Sequence, residues 1–253
     1  MRQTGQRYDS TRKVWEQIWD QASVEVELDT QTYARARETL DLYVPYLPKS
    51  EIILEAGSGL SAALLHLKGL GYRVMGLDYA ENALHISRAH DPALQLAVGD
   101  VHTLPFAENT MGAYLSFGVF EHFETGMGQP LAEAFRVLKP DGVLVLTIPY
   151  PNIIHELVQW RRSQQGAVTL TDDDFYESTY TRAALVDAVQ AAGFEICRVA
   201  PTSHAFTLWG IGQAFRAPGY YRTSRLAEGI GAALKVVLPW TFNFSTLVIA
   251  RKP

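Results

Sequence analysis

Cysteine is almost missing, with Cys197 alone in 253 residues. An internal disulfide and a cysteine-based metal cluster are thereby excluded, and a reducing compartment is the natural setting. No apolar run reaches the roughly 18 residues that a membrane-spanning helix needs. The longest such stretches, near the C-terminus, are broken by Lys235, Pro239 and Asn243. Met1 to Asp20 is polar and charged, with no apolar core of signal-peptide length. A cytoplasmic location is expected. Positive charge is not in excess either, since 22 Lys and Arg face 27 Asp and Glu for a formal net charge of -5. Without a basic footprint for gripping phosphates, nucleic acid is not an expected partner. His66, His85, His90, His102, His155 and His204 show no metal-ligand spacing with acids or cysteine, so no metal is expected and all six read as structural or surface residues.

What is present describes an ordinary globular chain, 47% hydrophobic and 19% charged. Its length suits a single domain. Apolar spacing predicts a helix over 31–46, stopped by Pro45 and Pro48. A short apolar run, Glu51 to Glu55, then enters a glycine turn and a helix from Ser61 to Leu70. The rhythm repeats with strand Tyr72 to Asp78, helix Glu81 to His90 and strand Leu94 to Val98. Strand Thr110 to Phe117, helix Pro130 to Leu138 with Lys139-Pro-Asp-Gly142 as its stop, and strand Val143 to Ile148 follow. Thr181 caps a helix ended by Gly193, strand Phe194 to Val199 comes next, and Phe244 to Arg251 closes the chain as a strand. Strands alternating with helices of about ten residues indicate an α/β, doubly wound, mostly parallel sheet.

Chemistry concentrates at Glu55-Ala-Gly57-Ser58-Gly59-Leu-Ser-Ala62, between a strand and a helix. Glycines there let a ligand approach the backbone closely. The same residues satisfy a dinucleotide fingerprint, with Asp78 placed 78 - 57 = 21 residues on to meet a ribose. Two readings compete at this point, a nicotinamide dinucleotide and an adenosyl sulfonium ligand. Glu55, two residues before the first glycine, would repel a pyrophosphate and attract a sulfonium and an α-amino group. Asp100, a further 100 - 78 = 22 residues along, is placed to accept a hydrogen bond from an adenine amine.

In succession, Glu55-Ala-Gly-Ser-Gly59, Gly76-Leu-Asp78, Gly99-Asp100-Val101 with Leu104-Pro-Phe106, Val119-Phe-Glu-His122 and Arg136-Val-Leu-Lys-Pro-Asp-Gly142 resemble the ordered motifs of class I S-adenosylmethionine-dependent methyltransferases. The resemblance spans roughly Glu51 to Ile148 and extends through Tyr180 to Val199 and the last strand. It implies a seven-stranded Rossmann-like sheet with an antiparallel final strand, S-adenosyl-L-methionine as cofactor and S-adenosyl-L-homocysteine as product. By residue, it implies Glu55 and the Gly57, Ser58 and Gly59 backbone beside the methionine part, Asp78 on the ribose, Tyr79 against the adenine, and Asp100 with the Val101 amide at the adenine edge. Phe117, Gly118 and Val119 are expected near the reactive methyl. Asp141 stands where the family more often has glycine.

Methyl transfer to oxygen, nitrogen or carbon is an in-line displacement that mainly requires alignment and exclusion of water. Where a proton must leave the acceptor, His122 is the candidate base. Residues 1–50, 149–180 and 203–240 are expected as cover around the 51–148 core, and Tyr150, His155, Tyr176 and Trp209 as acceptor contacts. Their aromatic character suits a small or medium-sized, partly apolar acceptor. Leu234 to Leu238 beside Trp240, with Arg216, Arg222, Arg225 and Lys235, is a candidate for peripheral lipid contact without insertion. An NAD-dependent oxidoreductase and a non-catalytic S-adenosylmethionine-binding module are the alternatives.

Overall fold

The computed structural model describes residues 6–154, 156–157 and 178–253. The expectations for His155 and Tyr176 fall outside these residues.

Three helices precede the sheet, α1 (Gln6–Asp20), α2 (Val24–Thr30) and α3 (Ala34–Tyr43). Where spacing predicted one helix over 31–46, α3 stops at Tyr43 and Val44–Tyr46 tightens into a 3-10 turn. Proline at 45 has no N–H to continue the ladder. The core then runs β1 (Ile52–Ala56), α4 (Ala62–Gly69), β2 (Arg73–Asp78), α5 (Glu81–His90), β3 (Gln95–Val98), β4 (Met111–Phe117), α6 (Gly128–Val137) and β5 (Leu138–Pro149). Beyond residue 177 come α7 (Arg182–Ala191), β6 (Glu195–Thr202), α8 (His204–Trp209), α9 (Arg225–Val237) and β7 (Ser245–Arg251).

The seven strands lie in the order β3-β2-β1-β4-β5-β7-β6. Neighbours from β3 to β5 are parallel, and β7 is antiparallel to both β5 and β6. The expected sheet, with its antiparallel last strand, is therefore observed. Chain order reverses between β1 and β4, and an open parallel sheet binds ligands at such a reversal, outside the carboxyl ends of the strands.

Central strands are covered on both faces, which is why β4 reads as the nearly continuous apolar run Met-Gly-Ala-Tyr-Leu-Ser-Phe. Successive side chains feed opposite cores. Leu54, Tyr114, Leu144 and Val248 pack with Leu131 of α6 and Leu185 of α7. Ile53, Leu115, Val145 and Ile249 pack with Leu40 of α3 and Leu64 of α4.

Thr181 caps α7 as expected, its hydroxyl accepting from the Ala184 N–H at 3.2 Å. The expected helix stop also differs. Lys139 to Gly142 does not separate helix from strand but bulges within β5, which pairs Leu138 with Met111 and then Val143 with Ala113. Asp141 takes a left-handed φ of 63° there, and its N–H donates to the Lys252 carbonyl at 2.9 Å. The closing strand thus holds the bulge, a contact that local spacing does not reveal.

Candidate functional site

At the end of β1 the chain turns sharply through Gly57 to Gly59 into α4. The Gly57 and Ser58 N–H groups both donate to the Leu77 carbonyl, at 2.8 and 3.0 Å, which ties the turn to the end of β2. Gly57 has φ +80°, and a Cβ there would run into the Val119 side chain. Gly59 has φ +47°, and its Cβ would lie 2.6 Å from the Trp19 ring. Both the conformation and the close approach require glycine.

Asp78 organises this turn. One carboxylate oxygen accepts from the Gly59 N–H and the other from the Ala80 N–H, each at 2.8 Å. Burial raises the Asp78 pKa, and the Ala80, Gly59 and Tyr79 N–H groups pull it back. An ionised carboxylate offers about four acceptor positions, so these bonds leave capacity for a ligand hydroxyl. Tyr79 is half-buried beside it.

Glu55 is 5% exposed and pairs in register with Gly76 of β2 and Leu115 of β4. Burial first, then the Asp78 charge, pushes its pKa up to about 8, opposed by the Leu64 N–H. Its Oε2 is buried with no hydrogen-bond partner among the described residues. A buried carboxylate oxygen of this kind is costly unless something satisfies it. A cationic ammonium or sulfonium would do so, which is the sense in which these residues fit S-adenosylmethionine.

Asp100 lies just beyond β3, with its Oδ1 2.8 Å from both the His102 N–H and His102 Nδ1. The His102 side chain is 2% exposed, and its ring stands edge-on to Phe123 at 4.3 Å. Spacing alone gave His102 no site role, yet it fixes Asp100 from behind. The available signal was the two-residue step from acid to histidine, which suits an Asx-type turn. Val101 is buried at 6%. The following loop is braced by Glu133, which accepts from the Leu104 N–H at 2.7 Å, and by Arg136, which donates to the Phe106 and Leu104 carbonyls.

At the end of β4, Gly118 has φ +70° and donates to the Thr147 carbonyl at 3.1 Å. Val119 faces Gly57. The Phe117 ring leans on Tyr43, with centroids 5.4 Å apart, so its side chain serves the α3-side core and its backbone remains at the strand end. Glu121 is buried at 2%, and a Cβ on Gly118 would lie 3.5 Å from its Oε1. His122 is half-buried, its ring 5.3 Å from Trp15 in an edge contact. Glu55, Asp78, Asp100 and Glu121 thus put one carboxylate at or just past the carboxyl end of each of β1, β2, β3 and β4. Such a rim attracts cations and hydroxyls and repels phosphates.

Helix α1 crosses this rim. Trp15 and Trp19 stack at 5.6 Å, and Asn82 Nδ2 donates to the Glu16 carbonyl at 2.8 Å and to Asp20 Oδ1 at 2.7 Å. Tyr150 follows β5, donates its N–H to the Phe244 carbonyl at 2.8 Å, and meets the Trp240 ring at 6.4 Å. Trp209 joins a different aromatic group, with Phe206 at 5.8 Å, Tyr221 at 5.0 Å and the Arg216 guanidinium at 4.1 Å.

Residues 54–146 match the family model described as a methyltransferase domain. A protein of Mycolicibacterium smegmatis named as a probable S-adenosylmethionine-dependent methyltransferase is 27% identical over 144 residues, covering 57% of this chain and 52% of that protein. A demethylmenaquinone methyltransferase of Thermus thermophilus is 33% identical over 123 residues, 46% of this chain and 54% of that one. The chain spans about half the length of these curated relatives. Among solved structures, phosphoethanolamine N-methyltransferase 2 of Haemonchus contortus, in complex with S-adenosyl-L-methionine, has the same fold. It superposes with a TM-score of 0.58 at 18% identity, covering 86% of this chain and 52% of that one. Motif order and strand order agree with that match: residues 54–146 are similar to the methyltransferase domain, and the sheet around them has the fold of the solved S-adenosylmethionine-dependent methyltransferases.

Proposed function

We propose that this protein transfers the methyl group of S-adenosyl-L-methionine to an oxygen, nitrogen or carbon nucleophile of a small or medium-sized, partly apolar acceptor. The observation that carries the reading is the glycine turn held between two buried carboxylates, one of which, Glu55, has an unsatisfied oxygen. A cofactor whose methionine end is cationic and whose other end is a nucleoside meets both needs of that turn. When bound, the cofactor supplies a methyl already activated on a sulfonium.

The chain's own residues bind, orient and exclude water. Glu55 faces the cationic end, Asp78 takes the ribose hydroxyls beside the Tyr79 ring, and Asp100 with the Val101 amide reads the adenine edge. Gly118 and Val119 border the methyl. Alignment of nucleophile, methyl and sulfur then does most of the catalysis, and Trp15 and Trp19 on α1 keep water from it. His122 takes the acceptor's proton when the acceptor is a hydroxyl or a protonated amine. Its edge contact with Trp15 supports this role. Tyr150 and the aromatic segments after β5 and β6 supply apolar surface for the acceptor, as the quinone precursor in the Thermus thermophilus relative's name would need. His155 and Tyr176 remain acceptor candidates on sequence grounds alone.

Calorimetric titration with S-adenosylmethionine, S-adenosylhomocysteine and NADH tests the reading. Saturable binding of the first two, lost in Asp78→Ala, is expected. Binding of NADH alone would replace it with the oxidoreductase reading. Cofactor binding with no turnover across a panel of phenols, amines and quinone precursors would favour the non-catalytic module. Once an acceptor is found, full activity in His122→Ala would remove the base.

A further inference from the structure

The segment from Ile211 to Leu238 leaves a concentration of apolar side chains in water. Of the fourteen large apolar side chains that stand exposed among the described residues, eight fall within it. Val236 is 81% and Val237 72% exposed. Monomeric proteins scatter such residues singly, and a cluster marks a surface that something covers.

Helix α9 shows why folding leaves them outside. Its inner side is already apolar, with Ala227 and Gly231 buried and Leu234 packed against Ala205 and Leu208 of α8. A Cβ at Gly231 would come within 2.6 Å of the Ala205 backbone, so the two helices are in close contact. Leu226, Ile230, Ala233 and Val237, spaced by four, three and four residues, form the exposed stripe on the other side. A helix that is apolar on both sides has a second face to bury.

Charge identifies what buries it. From Ile211 to Trp240 there are four cations, Arg216, Arg222, Arg225 and Lys235, and one anion, Glu228. That gives 4 - 1 = +3 in a chain whose total is -5. Glu228 is engaged by the Thr223 hydroxyl, Lys235 pairs with Glu38 at 2.6 Å, and Arg216 lies over Trp209. Arg222, whose guanidinium lies 5.1 Å over the Tyr33 ring, and Arg225 are exposed, next to the exposed rings of Tyr220 and Tyr221 at the start of the stripe. An isologous contact through α9 would offer these arginines no free acid of the same face, because its one anion, Glu228, is already engaged by Thr223. Apolar side chains edged by arginine and tyrosine match instead an anionic lipid interface, where aromatic rings sit at headgroup level and cations meet phosphates.

We propose that the α9 face docks on an anionic lipid surface, with the helix lying in the headgroup plane. No described helix is long and apolar enough to cross a membrane. Docking is independent of methyl transfer. It has a consequence that rests on that reading: because β6 is parallel to β5, α8 and α9 leave the sheet at its ligand-binding end, so the bilayer adjoins the acceptor side near Tyr150 and Trp240.

Co-sedimentation with extruded vesicles provides the test. The protein is expected to pellet with phosphatidylcholine vesicles containing phosphatidylglycerol, not with phosphatidylcholine alone, and to be released by high salt. Each arginine near such a surface contributes about fivefold, so Arg222→Glu with Arg225→Glu is expected to weaken binding at least about tenfold. Val236→Glu with Val237→Glu is expected to do the same by burying charge. Thermal melts and S-adenosylmethionine titration verify that each variant is folded. Wild-type protein that ignores phosphatidylglycerol, or folded variants that all bind as well as wild type, would overturn the proposal. So would a dimer, seen by light scattering, that Val237→Glu dissociates, since the face then belongs to a second copy. Vesicle binding by a protein that fails to bind S-adenosylmethionine would leave docking intact and remove only the methyl-transfer reading.

Discussion

A glutamate buried beside a second buried acid keeps its proton to higher pH than one in water. For Glu55 the ordinary value of 4.5 rises to about 8. Between those values the unfolded chain has released the proton and the native chain has not. The unbound protein therefore loses stability as pH rises through that window, and the raised Asp78 pKa acts in the same direction. Urea unfolding at pH 5 and pH 8 is expected to show this decline, and Glu55→Gln to flatten it. A cation at Glu55 favours the ionised form, so S-adenosylmethionine binding near pH 7 is expected to release a proton. Calorimetry in two buffers of different ionisation enthalpy reads that release directly, and Glu55→Gln is expected to lack it. Undiminished release in the variant would assign the proton elsewhere. Glu55, Asp78 and the two glycines were legible in the sequence because a turn between strand and helix restricts residue type. For His102 the two-residue step from Asp100 was visible, but not its burial against Phe123, which spacing does not encode.

Helix α1 illustrates the element scale. It is held to α5 through two hydrogen bonds from one side chain, Asn82, and its Trp19 covers Gly59. A ligand under α1 adds surface for the helix to pack on, so S-adenosylhomocysteine is expected to slow tryptic cleavage at Arg12 and Lys13 severalfold. Asn82→Ala is expected to abolish most of that protection and to weaken cofactor binding. Cleavage that is insensitive to ligand would show that α1 is not part of the cover. Core elements were predicted nearly to their boundaries because helical and strand periodicities differ and Thr181, Gly193 and the glycine turn punctuate them. The bulge within β5 was not, since Lys139 to Gly142 has the composition of a helix stop whether it ends a helix or interrupts a strand.

Across the whole molecule, the sheet separates two cores. Leu64 and Leu131 are both fully buried, one on each face. Either leucine cut to alanine is expected to cost about 2–5 kcal/mol, and the double substitution to cost the sum within about 0.5 kcal/mol, because the two sites share no packing partners. Denaturant titration of the two single variants and the double checks this. A clear departure from additivity would mean that strain crosses the sheet. Two-sided burial also explains why the strands alternate less than those of a solvent-facing sheet, and why motif order located them more sharply than hydrophobic period did.

Local chemistry, then, was enough to place the strands, the glycine turn, the acids at strand ends and the family they resemble, because each depends on residues close together in the chain. Three matters needed the folded molecule: the burial of Glu55 beside Asp78 and of His102 against Phe123, the passage of α1 over the glycine turn, and the apolar outer stripe that α9 keeps while its inner side packs on α8. Each of these joins segments far apart in sequence, and a buried contact or an uncovered face exists only once those segments have met.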